Sequence, residues 1–171
     1  MRATGAYTDA ARDRLALIAT LAAGTWTNVF SFHAPRYASA ATAGKIVGIA
    51  ADGPGYLLAT SNGKVTSVNA PSFGSVSGAI RAPVVGIATD QATGGYWLAT
   101  SAGHIYSFHA PSYGSLTGKT LPAPVVAVAA DGLGYLLITR AGHVYSFHMV
   151  SYGSVAGKKP PAPIAGIAVA G

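Results

Sequence analysis

The chain predicts an all-β fold made of about four repeats, each of four short antiparallel strands. Three observations carry this expectation. Segments of about 40 residues recur along the 171 residues. Their apolar runs are short and rich in β-branched and aromatic residues, as strands are. Gly and Pro stand at every junction between the runs.

The repeats can be laid over one another. IVGIAADGPGYLLATSNGKVTSVNAPSFGSVSG starts at Ile46, VVGIATDQATGGYWLATSAGHIYSFHAPSYGSLTG at Val84 and VVAVAADGLGYLLITRAGHVYSFHMVSYGSVAG at Val125. Tyr56, Tyr96 and Tyr135 are 40 and 39 residues apart, as are Phe73, Tyr113 and Tyr152. A worn copy lies upstream. Its second half, NVFSFHAPRYASA from Asn28, is clear, whereas its first half follows the pattern loosely and lacks a good second strand. IAGIAVAG at the end repeats the opening of a unit.

Within a unit, Val84 to Thr89 is small and β-branched, and Tyr96 to Ser101 forms the second run. His104 to His109 alternates, and Ser112 to Leu116 is the fourth run. Asn62-Gly63, Ala102-Gly103 and Ala141-Gly142 sit at hairpin spacing between runs two and three, with Asn-Gly the strongest tight-turn signal. Asp52, Asp90 and Asp131 follow the first run, where a carboxylate can cap turn amides.

Four strands in about 40 residues, repeated, is the arithmetic of a β-propeller blade. A β-trefoil or another β-repeat is the alternative. The expected layout is one repeat domain over 1–171. A worn repeat covers about 4–44, followed by repeats at about 46–83, 84–124 and 125–163 and a closing strand at 164–171. The first strand should line the axis, where Gly48, Gly86 and Gly166 let neighbours approach. Ile164 to Ala170 should complete the first blade, within one chain or by exchange between two.

GYWLATSAGHIYSFHAPSYGSLTG and its copies resemble the propeller-like repeats of actinobacterial secreted and cell-surface proteins, over about Asn28 to Gly171. Strand order, turn positions and the Tyr-Gly-Ser step agree. The sequence departs where those repeats carry Gly-Asp-Ala after the third strand. It has His-Ala-Pro from His33 and His109, Asn-Ala-Pro from Asn69 and His-Met-Val from His148. The resemblance implies an extracellular or cell-surface binding module and supplies no catalytic residues.

Composition narrows the chemistry. There is no Cys and no Glu, and the acids are Asp9, Asp13, Asp52, Asp90 and Asp131. Thiolate chemistry is excluded, and a carboxylate-pair hydrolase or a calcium cage is disfavoured. His33, His109 and His148 share one repeat position, and His104 and His143 share another. Equivalent positions in a ring are far apart, so neither a metal site nor a catalytic site is expected. No Ser sits in a nucleophile elbow, and Gly118-Lys119 and Gly157-Lys158 enter Pro-rich loops rather than a phosphate-binding helix. The protein is read as a non-enzyme with no cofactor.

The net charge of +6 favours anionic partners. Lys45, Arg81, Lys119, Lys158 and Lys159 all fall between the fourth run and the next first run, which puts them on one face as candidate anion-binding residues. Tyr37, Phe73, Tyr113 and Tyr152 on the fourth run are candidate sugar-stacking shelves, with packing between blades as the competing role. The partners expected are an anionic polysaccharide, such as a cell-wall polymer, or a protein. A subunit of a larger surface assembly and an accessory domain of an enzyme are the alternatives. Nucleic acid is disfavoured because the aromatics follow core spacing rather than interleaving with the cations. No apolar run approaches the length of a membrane span. Arg12, Arg14 and LALIATLAAG resemble a secretory signal, but Asp9 and Asp13 precede the apolar stretch, and the same residues also align with a worn repeat.

Overall fold

The computed structural model describes residues 44–158, 160 and 162–169, together with the backbone of two upstream strands. His33, Tyr37 and Lys159 lie outside the described residues. The upstream strands are β1 (Ala16–Leu21) and β2 (Thr27–Phe32), which pair antiparallel with Ala19 opposite Val29. β1 is the second strand that the worn repeat was expected to lack. Its Ala16 faces Phe32 as Tyr56 faces Val68 in the next repeat, so the missing tyrosine hid it.

Three further sheets follow, one per clear repeat. They contain β3 (Ile46–Asp52), β4 (Gly55–Thr60) and β5 (Val65–Val68), then β6 (Val84–Asp90), β7 (Gly95–Thr100) and β8 (Ile105–Phe108), then β9 (Val125–Ala130), β10 (Tyr135–Thr139) and β11 (Val144–Phe147). Each is antiparallel with its second strand in the middle. Every residue of β4, β7 and β10 is buried. A strand covered on both faces reads as a continuous apolar run, and YLLA, YWLA and YLLI are such runs.

The ladder holds three strands per repeat rather than the four expected. The fourth run forms no ladder and is tied beside the third by single backbone bonds: Val76, Leu116 and Val155 donate to Gly63, Gly103 and Gly142 at 3.0, 2.9 and 3.1 Å. Ser75 Oγ intervenes by accepting from the Val65 amide at 2.9 Å, and Ser154 Oγ donates to Gly142 at 2.7 Å. Ser115 at the same position bonds Thr117 in its own run instead.

The sheets stack face to face through their first two strands. Leu57, Val84, Ile87, Tyr96 and Leu98 fill one interface. Trp97, Leu116, Val128, Tyr135 and Leu137 fill the next. Close approach is built in at Gly48, where a Cβ would stand 3.0 Å from the Ile87 nitrogen, and at Gly86, where it would stand 3.1 Å from Val128. Gly166 has nothing within 4 Å. Residues 164–169 form no ladder. Ile164 donates to Arg140 at 3.2 Å, just as Val84 donates to Ser61 and Val125 to Ser101. The segment therefore starts where the first strand of a further repeat would start.

Candidate anion-binding site

The strand register sorts the charges. The first strand begins, and the second ends, at the same end of each sheet, since Ile46 pairs with Thr60 and Val84 with Thr100. The hairpin turns at Gly63, Gly103 and Gly142 and the loops between repeats share that end. Lys45, Lys64, Arg81, Lys119, Arg140 and Lys158 all lie there, and all are exposed. At the other end Asp52 and Asp90 close their first strands and Asp131 follows its own. Among the described residues, every cation is at one end and every carboxylate at the other. Lys64 and Arg140 were missed as site residues because they belong to hairpins rather than to the inter-repeat loops.

The loop cations share an end but not a repeat position. Lys45 immediately precedes its first strand, and its carbonyl accepts from Ser61 at 2.8 Å, as Pro83 accepts from Ser101 and Pro124 from Arg140. Lys119 and Lys158 are equivalent, their backbone amides donating to the Leu116 and Val155 carbonyls at 3.0 Å. Arg81 lies deeper in its loop. Arg81 and Lys119 nevertheless converge, one from each side, on a cleft of about 430 Å3 between the second and third repeats, lined also by His104, Tyr106 and Thr117. The His104 Nδ1 lies 2.7 Å from Thr117 Oγ1, which accepts from Ser115 Oγ at 2.9 Å. The His104 and Tyr106 rings meet edge to face at 4.4 Å. None of the described aspartates lines the cleft.

The aromatics of the fourth run are placed differently from one another. Phe73 stacks on His109 at 4.3 Å and Tyr113 on His148 at 4.4 Å, so one face of each ring is taken by the next repeat. Tyr152 is 90% exposed. His109 and His148 adopt positive φ, 53° and 55°, as does Asn69 at 50°. The His148 Nδ1 lies 2.8 Å from the Leu133 carbonyl oxygen. Asn and His tolerate this left-handed region better than most residues. Beneath them, Gly55, Gly95 and Gly134 leave no room for a side chain: a Cβ would come within 2.2–2.4 Å of backbone atoms of the third strand's last residue or the residue after it.

The carboxylates act locally. Asp90 accepts from Ala92 at 3.1 Å and from the Thr93 hydroxyl at 2.7 Å, and Asp131 accepts from Leu133 at 2.9 Å. Asp52 differs, because the residue two further on is Pro54, which has no N–H. Its Oδ2 is buried without a hydrogen-bond partner, and burial raises its pKa above the usual carboxylate range. Among the described residues no group of three or more His or Asp could hold a metal ion. No helix among them is long and apolar enough to cross a membrane.

The sequence matches no protein-family model and no curated protein. Among solved structures, apo AztD from Citrobacter koseri is similar with a TM-score of 0.44 at 9% identity, over 72% of this chain and 37% of that one.

Proposed function

We propose that the protein is a non-catalytic module that binds acidic polysaccharide through its cationic end, in an extracellular or cell-surface setting like that of the repeats it resembles. The separation of charge along the strands carries this reading. Strands of six or seven residues put about 20 Å between the two ends. That exceeds the screening length of about 8 Å at physiological salt, so the carboxylates do not cancel the cations for a chain lying across the loops. Several weak contacts then add up along one polymer. The test is binding of polygalacturonate and of a neutral glucan at about 0.1 M and about 1 M salt, where the screening length falls from about 10 to 3 Å. Binding confined to the acidic polymer, weakened by salt and lost when Lys45, Arg81, Lys119, Lys158 and Lys159 all become Ser is the expected result. Binding that survives those five changes means that the cationic end is only solvated charge.

The same reading includes a closed ring. Among the described residues the sheet of β1 and β2 has two strands where the others have three. Residues 164–169 carry a first-strand sequence and begin at a first-strand position, so they suit a first-strand place beside β1. Closure can occur within one chain or between two copies. Deleting residues 164–171 should cause unfolding or aggregation, and light scattering of the intact chain separates the two modes. A truncated chain that stays folded in the same oligomeric state contradicts closure.

A further inference from the structure

We propose that the cleft between the second and third repeats is a subsite for one carboxylate-bearing sugar residue. This proposal rests on reading the cationic end as a polysaccharide surface, and it replaces a uniform ring of cations with one dominant position. The repeats are not equivalent here. Counted back from the first strand, the place of Arg81 is taken by Pro122 at the next junction. The place of Thr117 is taken by Ala156. His143 accordingly has a buried Nδ1 with no partner, where His104 has Thr117. In the second repeat the places of His104 and Tyr106 are held by Lys64 and Thr66. One junction therefore combines guanidinium, ammonium, imidazole and phenol.

The donors suit a sugar acid. Thr117 Oγ1 engages the His104 Nδ1 at 2.7 Å, which leaves Nε2 as the ring nitrogen for a ligand. Arg81 and Lys119 supply charge-assisted donors for a carboxylate, and the guanidinium can hold it by two bonds at once. Ala79, Ala82, Ala102 and Tyr106 provide small apolar surface for the C–H face of a ring. The volume of about 430 Å3 falls within the range of small-ligand sites, about 300–1,000 Å3.

A second cleft of about 390 Å3 adjoins the first through Tyr106, which lines both. It carries Ser75, Ser77, Ser107 and Ser112 and no cation. Hydroxyl groups without charge match a neighbouring sugar ring rather than a second free anion. The pair makes a short track for consecutive residues of one chain, with Tyr106 at the step between them.

Isothermal titration calorimetry with tetragalacturonate tests this, with maltotetraose, tetraglutamate and inorganic sulfate as comparison ligands. One tetragalacturonate should bind per chain, at least about tenfold more tightly than any of the other three. Arg81→Ser and Lys119→Ser should each weaken it about tenfold or more, as the loss of a charge-assisted bond does. Lys45→Ser and Lys158→Ser should change it less than about threefold. All four side chains are exposed, so these variants leave the core intact. Equal weakening by all four overturns the subsite, and so does sulfate or tetraglutamate binding as tightly as tetragalacturonate. If polygalacturonate binds the intact protein while Arg81→Ser has no effect, the subsite fails and the wider reading stands. If no acidic polymer binds at low salt, both fail.

Discussion

The hydroxyl of Tyr96 donates to the carbonyl oxygen of Gly74 across 2.6 Å, joining the middle strand of one repeat to the fourth run of the repeat before it. The Tyr96 hydroxyl oxygen in turn accepts from the Phe73 amide at 3.3 Å. Tyr135 repeats the bond to Gly114 one unit later. Both tyrosines are fully buried, and that burial pushes their pKa values up. The apolar stacking of the sheets is thus pinned by a polar bond that fixes how far one repeat can slide on the next.

Tyr96→Phe removes that bond and leaves the Gly74 oxygen and the Phe73 amide to find other partners. A loss of about 1–3 kcal/mol in urea unfolding is expected. Tyr152→Phe alters a hydroxyl on a ring that is 90% exposed, so it should cost far less. Equal effects would show that the bond between repeats carries no stability.

Gly95→Ala should destabilise by about 1–3 kcal/mol or more through overpacking, because the added Cβ falls 2.4 Å from the His109 carbonyl group. The obstacle is backbone, which cannot rotate aside as a side chain can. Gly48→Ala meets the Ile87 nitrogen at 3.0 Å and should cost less. Thermal unfolding of the two variants checks the order.

The Asp52 carboxyl is held above the usual carboxylate range because burial penalises its charge and Pro54 offers no amide to offset this. A raised folded-state pKa means that the native state holds the proton more tightly than the unfolded chain. Its contribution to stability is therefore full below the unfolded value, near 3.9, and is lost as pH rises through the folded one. Asp52→Asn should be more stable than the parent at pH 7, and the gap should shrink in acid. Pro54→Leu should lower the Asp52 pKa by restoring the donor that Leu133 gives Asp131, and NMR titration of the carboxyl would show it. A constant gap across pH contradicts the assignment.

Most of the scaffold could be read from residue spacing. The apolar runs marked the middle strands, the recurring Gly marked the hairpins, and the Asp turn caps held at Asp90 and Asp131. The fourth strand was overread because its residue pattern does not reveal that a single backbone bond to the hairpin glycine replaces a ladder. β1 was underread because Ala16 stands where the other repeats have Tyr. Asn69 sharing a position with His109 and His148 signals positive φ, a cue stronger than any chemistry of the ring. The cleft was the least legible part. Loop cations were visible in the sequence, but the partnership of Arg81 with Lys119 depends on a loop one residue shorter than the next, which shifts each cation along its loop.

The central claim is that the cationic end takes an acidic sugar chain at one junction. Amide chemical-shift mapping during titration with tetragalacturonate tests it most directly. The account predicts shifts concentrated at Arg81, His104, Tyr106, Thr117 and Lys119, with Lys158 and the Asp turns nearly unmoved. Shifts spread evenly over Lys45, Arg81, Lys119 and Lys158, or centred on Tyr152, would contradict it.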